Sequence, residues 1–167
     1  MVLLDVSDSM APALEATRIW LQEAMRTSYF RRDPVVIISA QGDRAQILNY
    51  PTTSLGLILN RLGEIRVGGG TPLDQGLIQV RRVIMQIRDR YPVLDLVLLT
   101  DGKSPSPLTG PAVRRAVSAI RKHVHAVTVV NPKQEAGEAL RALVGLLGGK
   151  LVSAERVDDA LGCPGIM

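Results

Sequence analysis

The chain is poor in cysteine, aromatics and long apolar runs. Its one cysteine, Cys163, excludes a disulfide framework and a thiolate zinc site. It reads as an incidental thiol in a reducing, cytoplasmic setting. Aromatic residues make up only 3% of the chain, so the core must come from Val, Ile, Leu and Ala. The same scarcity removes the stacking surface that single-stranded nucleic acids usually need. No stretch reaches the roughly 18 apolar residues that cross a bilayer, and Asp5 interrupts "MVLL" before a signal-peptide core can form. Two histidines are too few for most His-based metal sites. His123 and His125 are expected to alternate at a strand start in a structural role. What remains is a chain of 167 residues, 46% hydrophobic and 22% charged, with net charge +4. That suits one soluble globular domain, 1–167. Because the sequence enters its first strand at once, it is expected to be a fragment or terminal domain of something longer.

Short apolar runs alternate with helix-length segments. The strands are expected at Val2–Leu4, Val35–Ser39, Ala45–Leu48, Leu94–Thr100, Ala126–Val130 and Leu151–Ser153. Runs such as "VVIIS" and "LVLLT" are apolar on both faces, as in a parallel sheet covered by helices. One helical stripe runs through Leu14, Thr17, Leu21, Ala24, Met25 and Ser28. A clearer one runs through Leu73, Leu77, Val80, Val83, Ile84 and Ile87, with Thr71 as its cap and Pro72 at its first position. Further helices are expected at Pro111–Lys122 and Glu135–Leu147, the latter ended by Gly148-Gly149. "QGD" at 41–43 reads as a turn between two antiparallel strands. The fold class is therefore α/β: a doubly wound, Rossmann-like, mostly parallel sheet with one antiparallel edge strand and helices on both faces.

Three loops carry chemistry: "DVSDS" after the first strand, "GGGTPL" before the strongest helix, and "LLTDG" at the end of the most apolar strand. In a doubly wound sheet the loops after strand carboxyl ends gather at one edge. If the first and fourth strands are neighbours, Asp5 and Asp101 face each other there. Their side chains, with Ser7, Ser9 and Thr71, are all hard oxygen donors. Mg2+ prefers octahedral oxygen ligands and keeps several waters, so it fits this set better than zinc or copper. Taken singly, each loop has a plainer reading: Asp5 as a turn residue with Ser7 or Ser9 as helix cap, and Asp101-Gly102 as a common turn. A phosphotransfer nucleophile at Asp5, with Asp158-Asp159 as later Mg2+ ligands, fails on spacing, because position 7 is Ser and not Asp. Asp158-Asp159 reads better as the start of a last short helix. The cations Arg81, Arg82, Arg88, Arg90, Arg114, Arg115, Arg121 and Lys122 read as a solvated face, with an acidic docking surface as the minority reading.

The three loops together resemble the metal-ion-dependent adhesion site of von Willebrand factor A domains, in motif order and across essentially the whole chain. The resemblance implies a non-catalytic module that binds Mg2+, with Mn2+ or Ca2+ as substitutes, through Asp5, Ser7, Ser9, Thr71 and Asp101. It also implies that a partner protein's Asp or Glu takes the last coordination position. "RRDPVVIISAQGDRAQILNYPTTS", "LGEIRVGGGTPLDQGL" and "LVLLTDGK" are more specifically similar to the A domain of the D subunit of magnesium and cobalt chelatases. That similarity implies an AAA-type ATPase and a large chelatase subunit as partners, in tetrapyrrole metal insertion. An A-domain adaptor of another AAA-type ATPase, or an RNA-associated A domain, are the alternatives. "GLLGGK" at 145–150 lacks the GxxxxGK[ST] arrangement, so this chain supplies no ATPase step. One position departs from the family: the residue between the serines is usually Gly and here is Asp8.

Overall fold

The computed structural model describes residues 1–13, 19, 21–23, 26, 31–104, 107–132 and 136–153. Six strands form one sheet: β1 (Val2–Asp5), β2 (Val35–Gln41), β3 (Arg44–Thr52), β4 (Asp95–Leu99), β5 (Ala126–Asn131) and β6 (Lys150–Ser153). Their order is β3-β2-β1-β4-β5-β6. All pairings are parallel except β2 with β3, which are antiparallel across the turn at Gly42-Asp43. All six expected strands are present within a residue or a few of their expected limits, and the antiparallel edge is where the "QGD" turn placed it.

Four α-helices are fully described: α1 (Leu55–Glu64), α2 (Leu73–Ile87), α3 (Pro111–His123) and α4 (Glu138–Leu147). A short 3-10 turn, Asp8–Ala13, follows β1. Alternation along the strands sorts the core into two layers. Leu3, Ile38, Leu98 and Val129 face α2, α3 and α4, against Leu77, Ile84, Ile120 and Leu143. Val2, Leu4, Ile37, Leu99 and Val130 face the other way, against Ile58 and Leu62 of α1 and the helical Leu21. β1 and β4 are buried on both faces at the centre, which is why their sequences are continuous apolar runs.

Several expectations are corrected. Thr71 does not cap α2: the residue before the helix is Pro72, and no side-chain cap bond forms there. The Thr71 side chain is buried instead, and Pro72 precedes the helix rather than opening it. α4 begins at Glu138, not at Glu135, which lies outside the described residues. His123 ends α3 and His125 precedes β5, so they do not alternate on one strand. His123 Nε2 lies 3.2 Å from Arg88 Nη1, and His125 Nδ1 lies 3.3 Å from Asp95 Oδ1. Helix α1 was not anticipated at all. Its signals are nevertheless present: Ser54 accepts a capping bond from the Leu57 N–H, and Ile58 and Leu62 share one buried face. Gly56 and Gly63 dilute that pattern, since glycine is a poor helix former. Of the first helical stripe only Leu21 is described, helical and buried; Leu14, Thr17, Ala24, Met25 and Ser28 lie outside the described residues, as do Asp158, Asp159 and Cys163.

Candidate metal centre

β1 pairs on one side with β2 and on the other with β4. Chain winding therefore reverses between β1 and β4, and a crevice opens at their carboxyl ends. The register Leu4↔Leu99 sets Asp5 beside Thr100. Asp5 ends β1, Asp101 follows β4 by two residues, and both are nearly fully buried.

Backbone bonds bring the three loops together. The Asp8 N–H donates to Gly69 O and the Gly68 N–H to Val6 O, each at 3.0 Å. These bonds tie the first loop to the glycine loop. The Ser104 hydroxyl donates to Thr71 O at 3.3 Å, which ties the third loop to the same segment. The β2–β3 turn braces the glycine loop from behind. There the Gly42 N–H donates to Gly70 O at 3.0 Å, and the Gln41 side-chain amide donates to Arg66 O at 2.8 Å. Gly69 has φ +75°, and a Cβ there would lie 2.9 Å from Gly42 Cα. Only glycine fits this approach without a backbone shift.

The side chains are held as firmly. Asp5 Oδ1 accepts from the Ser7 N–H at 3.0 Å, and Asp5 Oδ2 accepts from the Thr100 hydroxyl at 2.7 Å. The Ser7 and Ser9 hydroxyl oxygens are 3.1 Å apart. Asp101 Oδ1 accepts from the Lys103 N–H at 3.1 Å. Ser7 and Thr71 are buried, while Ser9 is half-exposed. The loops of all five sequence-derived residues thus meet at one sheet edge, with Ser9 nearest solvent.

Burial pushes the Asp5 carboxyl above its usual range, and the like charge of Asp101 adds to this. Hydrogen bonds from Ser7 and Thr100 pull the other way. Two carboxylates and three hydroxyls gathered at one edge make an environment that a hard cation would suit. Among the described residues no group of three His, Cys, Asp or Glu side chains clusters as a metal site. That fits the donor set, which consists mostly of hydroxyls. Asp5, Ser7, Ser9, Thr71 and Asp101 are therefore the residues that could hold Mg2+.

The raised Asp5 carboxyl has a measurable consequence. Its stabilising protonated form is present at acid pH and lost as pH rises through the raised value. Asp5→Asn keeps the shape and one accepting oxygen, which can still take the Ser7 N–H, and removes the charge; its NH2 must donate to the Thr100 hydroxyl oxygen where the carboxylate accepted from it. In chelator the variant should melt a few degrees above wild type at neutral pH. The gap should close at acid pH, and added Mg2+ should not move the variant's midpoint. Thermal melts across pH, with and without metal, check all three.

Two residues with clear roles escaped the sequence reading. Thr100 both donates to Asp5 and accepts from the Gly102 N–H at 3.0 Å, so one hydroxyl links both aspartate loops. Read in sequence it was merely the last residue of a strand. Gln41 braces the glycine loop from 25 residues away. Asp8 needs no special backbone: Arg32 is the only non-glycine residue at positive φ among the described residues. Its carboxylate is exposed at the rim of the site.

Comparison with known proteins agrees with this geometry. The profile of the von Willebrand factor type A domain matches residues 1–103. An uncharacterized protein of Mycobacterium tuberculosis is 34% identical over 134 residues, 76% of this chain and 21% of that protein. The magnesium-chelatase 60 kDa subunit of Cereibacter sphaeroides is 29% identical over 164 residues, 93% of this chain and 29% of the subunit. The chain thus spans less than a third of the length of either relative. In structure, the SpRpn10 VWA domain superposes with a TM-score of 0.78 at 15% identity, covering 100% of this chain and 97% of that one. The last comparison bears on the fold alone.

Proposed function

Because the chain belongs to the von Willebrand factor type A domain family, we propose that it is a non-catalytic, Mg2+-dependent binding module. It is similar to a region of magnesium-chelatase subunits. On this reading Ser7, Ser9 and Thr71 offer hydroxyl oxygens to the ion, and Asp5 and Asp101 hold its waters. Bound Mg2+ would supply a hard contact for a carboxylate from another protein. Asp5 is held by Ser7 and Thr100, and on this reading the remaining coordination position belongs to the partner. The observation that carries the reading is the Thr100–Asp5 bond across β1 and β4, with the loop clasp at Asp8–Gly69. Together they preassemble oxygen donors from three distant segments.

The proposed setting is a multi-subunit assembly in which an AAA-type ATPase, a large chelatase subunit, or both provide the Asp or Glu. The whole chain 1–167 is then one A domain of a larger chelatase-type subunit. A cytoplasmic location follows from that setting. Among the described residues no helix is long and apolar enough to cross a membrane. A second setting is beside another AAA-type ATPase.

The test is complex formation with the AAA-type ATPases and large chelatase subunits encoded in the same genome. Gel filtration should show a complex in Mg2+ that dissociates in chelator, and that Glu or Asp substitution at one partner position abolishes. A complex equally stable in chelator would contradict the reading. Complex formation with one ATPase class only would decide between the two settings.

A further inference from the structure

A groove of about 480 Å3 lies on the flank formed by α3 and α4, with Leu108 from the β4–α3 connection at one end and none of the five candidate metal residues in its lining. Its floor is Leu108, Val117 and Leu146, and its rim carries Arg114, Arg121 and Lys122. Arg114, Val117 and Arg121 follow the three- and four-residue steps of one helix face, with the Cα positions of the two arginines roughly 10 Å apart along the axis. Arg114 Nη1 donates to Thr109 O at 2.7 Å, which anchors its guanidinium at one end of the groove. Among the described residues no carboxylate pairs with Arg114, Arg121 or Lys122.

Arg121 and Lys122 also suit the carboxyl end of α3, where cations are favourable. That role explains neither Arg114, two turns earlier, nor an apolar floor between the charges. The groove is large enough for several side chains. It contains no aromatic residue, so it gives nucleobases nothing to stack on. A phosphate backbone would use the rim and leave the Leu floor unfilled.

We propose that this groove docks an acidic peptide segment of a protein partner, with apolar side chains on Leu108, Val117 and Leu146 and carboxylates on Arg114, Arg121 and Lys122. This goes beyond the metal-dependent contact, because it needs no metal and shares none of the five candidate metal residues. Charge complementarity fixes the sign of the partner, and the apolar floor fixes its need for Leu-like anchors.

The test is fluorescence anisotropy in chelator at low salt. The probes are a short labelled peptide of Glu and Leu, its Glu/Ser and Gln/Leu counterparts, and an oligouridylate of equal length. The Glu/Leu peptide should bind, and both counterparts should bind about tenfold more weakly. Arg121→Glu with Lys122→Glu should weaken the Glu/Leu peptide by at least the same factor, and Leu146→Ser should weaken it independently of salt. Circular dichroism confirms that each variant is folded, and Mg2+ should leave the affinity unchanged. The proposal is overturned if oligouridylate binds more tightly than the peptide, if the Glu/Ser peptide binds equally well, or if the charge reversals have no effect. A metal centre that fails its own tests leaves this outcome unaffected, since the peptide comparisons and the variants are measured in chelator.

Discussion

Asp101→Ala should abolish the response of the domain to Mg2+ while leaving the metal-free domain close to wild type. The two halves have different causes. In chelator, removing Asp101 relieves the like charge that burdens the buried Asp5 carboxyl. It also removes the Asp101–Lys103 bond, a loss of about 1 kcal/mol that offsets the relief. In metal, the wild type gains RT ln(1 + [L]/Kd), about 2.7 kcal/mol when the ion is at a hundredfold excess over Kd. For a chain of this size that amounts to roughly 5–10 °C in melting midpoint. The variant should gain none of it. Melting curves of both proteins in chelator and in a Mg2+ series therefore separate a metal centre from a mere turn. A turn residue would cost stability equally in both conditions.

Gly102→Ala should be the most destabilising single methyl in the described chain. Gly102 has φ +79°, where a Cβ costs about 1–2 kcal/mol. That Cβ would also lie 2.6 Å from Leu140 Cα and 2.8 Å from Leu140 N. These are backbone atoms at the start of α4, so no rotamer change relieves the clash. Overpacking adds about 1–3 kcal/mol. The sum of about 2–5 kcal/mol corresponds to a fall of roughly 5–15 °C. Metal affinity should fall as well, because the Gly102 N–H donates to the Thr100 hydroxyl that orients Asp5. Gly145→Ala is the control. It lies within α4 with nothing near its missing Cβ, and it should leave the midpoint unchanged or raise it slightly. Urea melts of the three proteins measure the difference. A Gly102→Ala protein as stable as wild type would mean that α4 does not press on this loop.

The strands were legible in sequence because central parallel strands are apolar on both faces, a pattern few other segments share. The site was legible because hydroxyls and carboxylates were packed into three short loops, two of which followed those strands. That Asp5 and Asp101 share one edge required β1 and β4 to be neighbours, which the pairing Leu4↔Leu99 provides. What could not be read was anything that depends on register or on distant partners. Thr100 becomes a positioning residue only once β4 lies beside β1. Gln41 and Gly42 brace Gly68–Gly70 only because the β2–β3 hairpin turns at that height. Helix α1 was missed for a local reason: two glycines interrupt a segment whose apolar side chains are spaced for a helix. Thr71 was misread as a cap because a hydroxyl before Pro is the usual sign of a helix start. Here the side chain is buried where the three candidate loops meet instead.

Asp8 sharpens the question of partner choice. It stands where the family usually has Gly, its backbone is unstrained, and its carboxylate faces solvent at the rim. It adds negative charge where the ion would sit and where a partner's carboxylate would arrive. The first effect strengthens cation binding and the second weakens partner capture.

The most direct measurement is the anomalous signal of Mn2+ in crystals grown with that ion in place of Mg2+. A single strong peak is expected between the hydroxyl oxygens of Ser7, Ser9 and Thr71, at about 2.2 Å from its nearest oxygens. It should be absent from Asp101→Ala crystals. Wild-type crystals at millimolar Mn2+ with no peak at that edge, or with a peak elsewhere only, would contradict a metal centre built from these five residues.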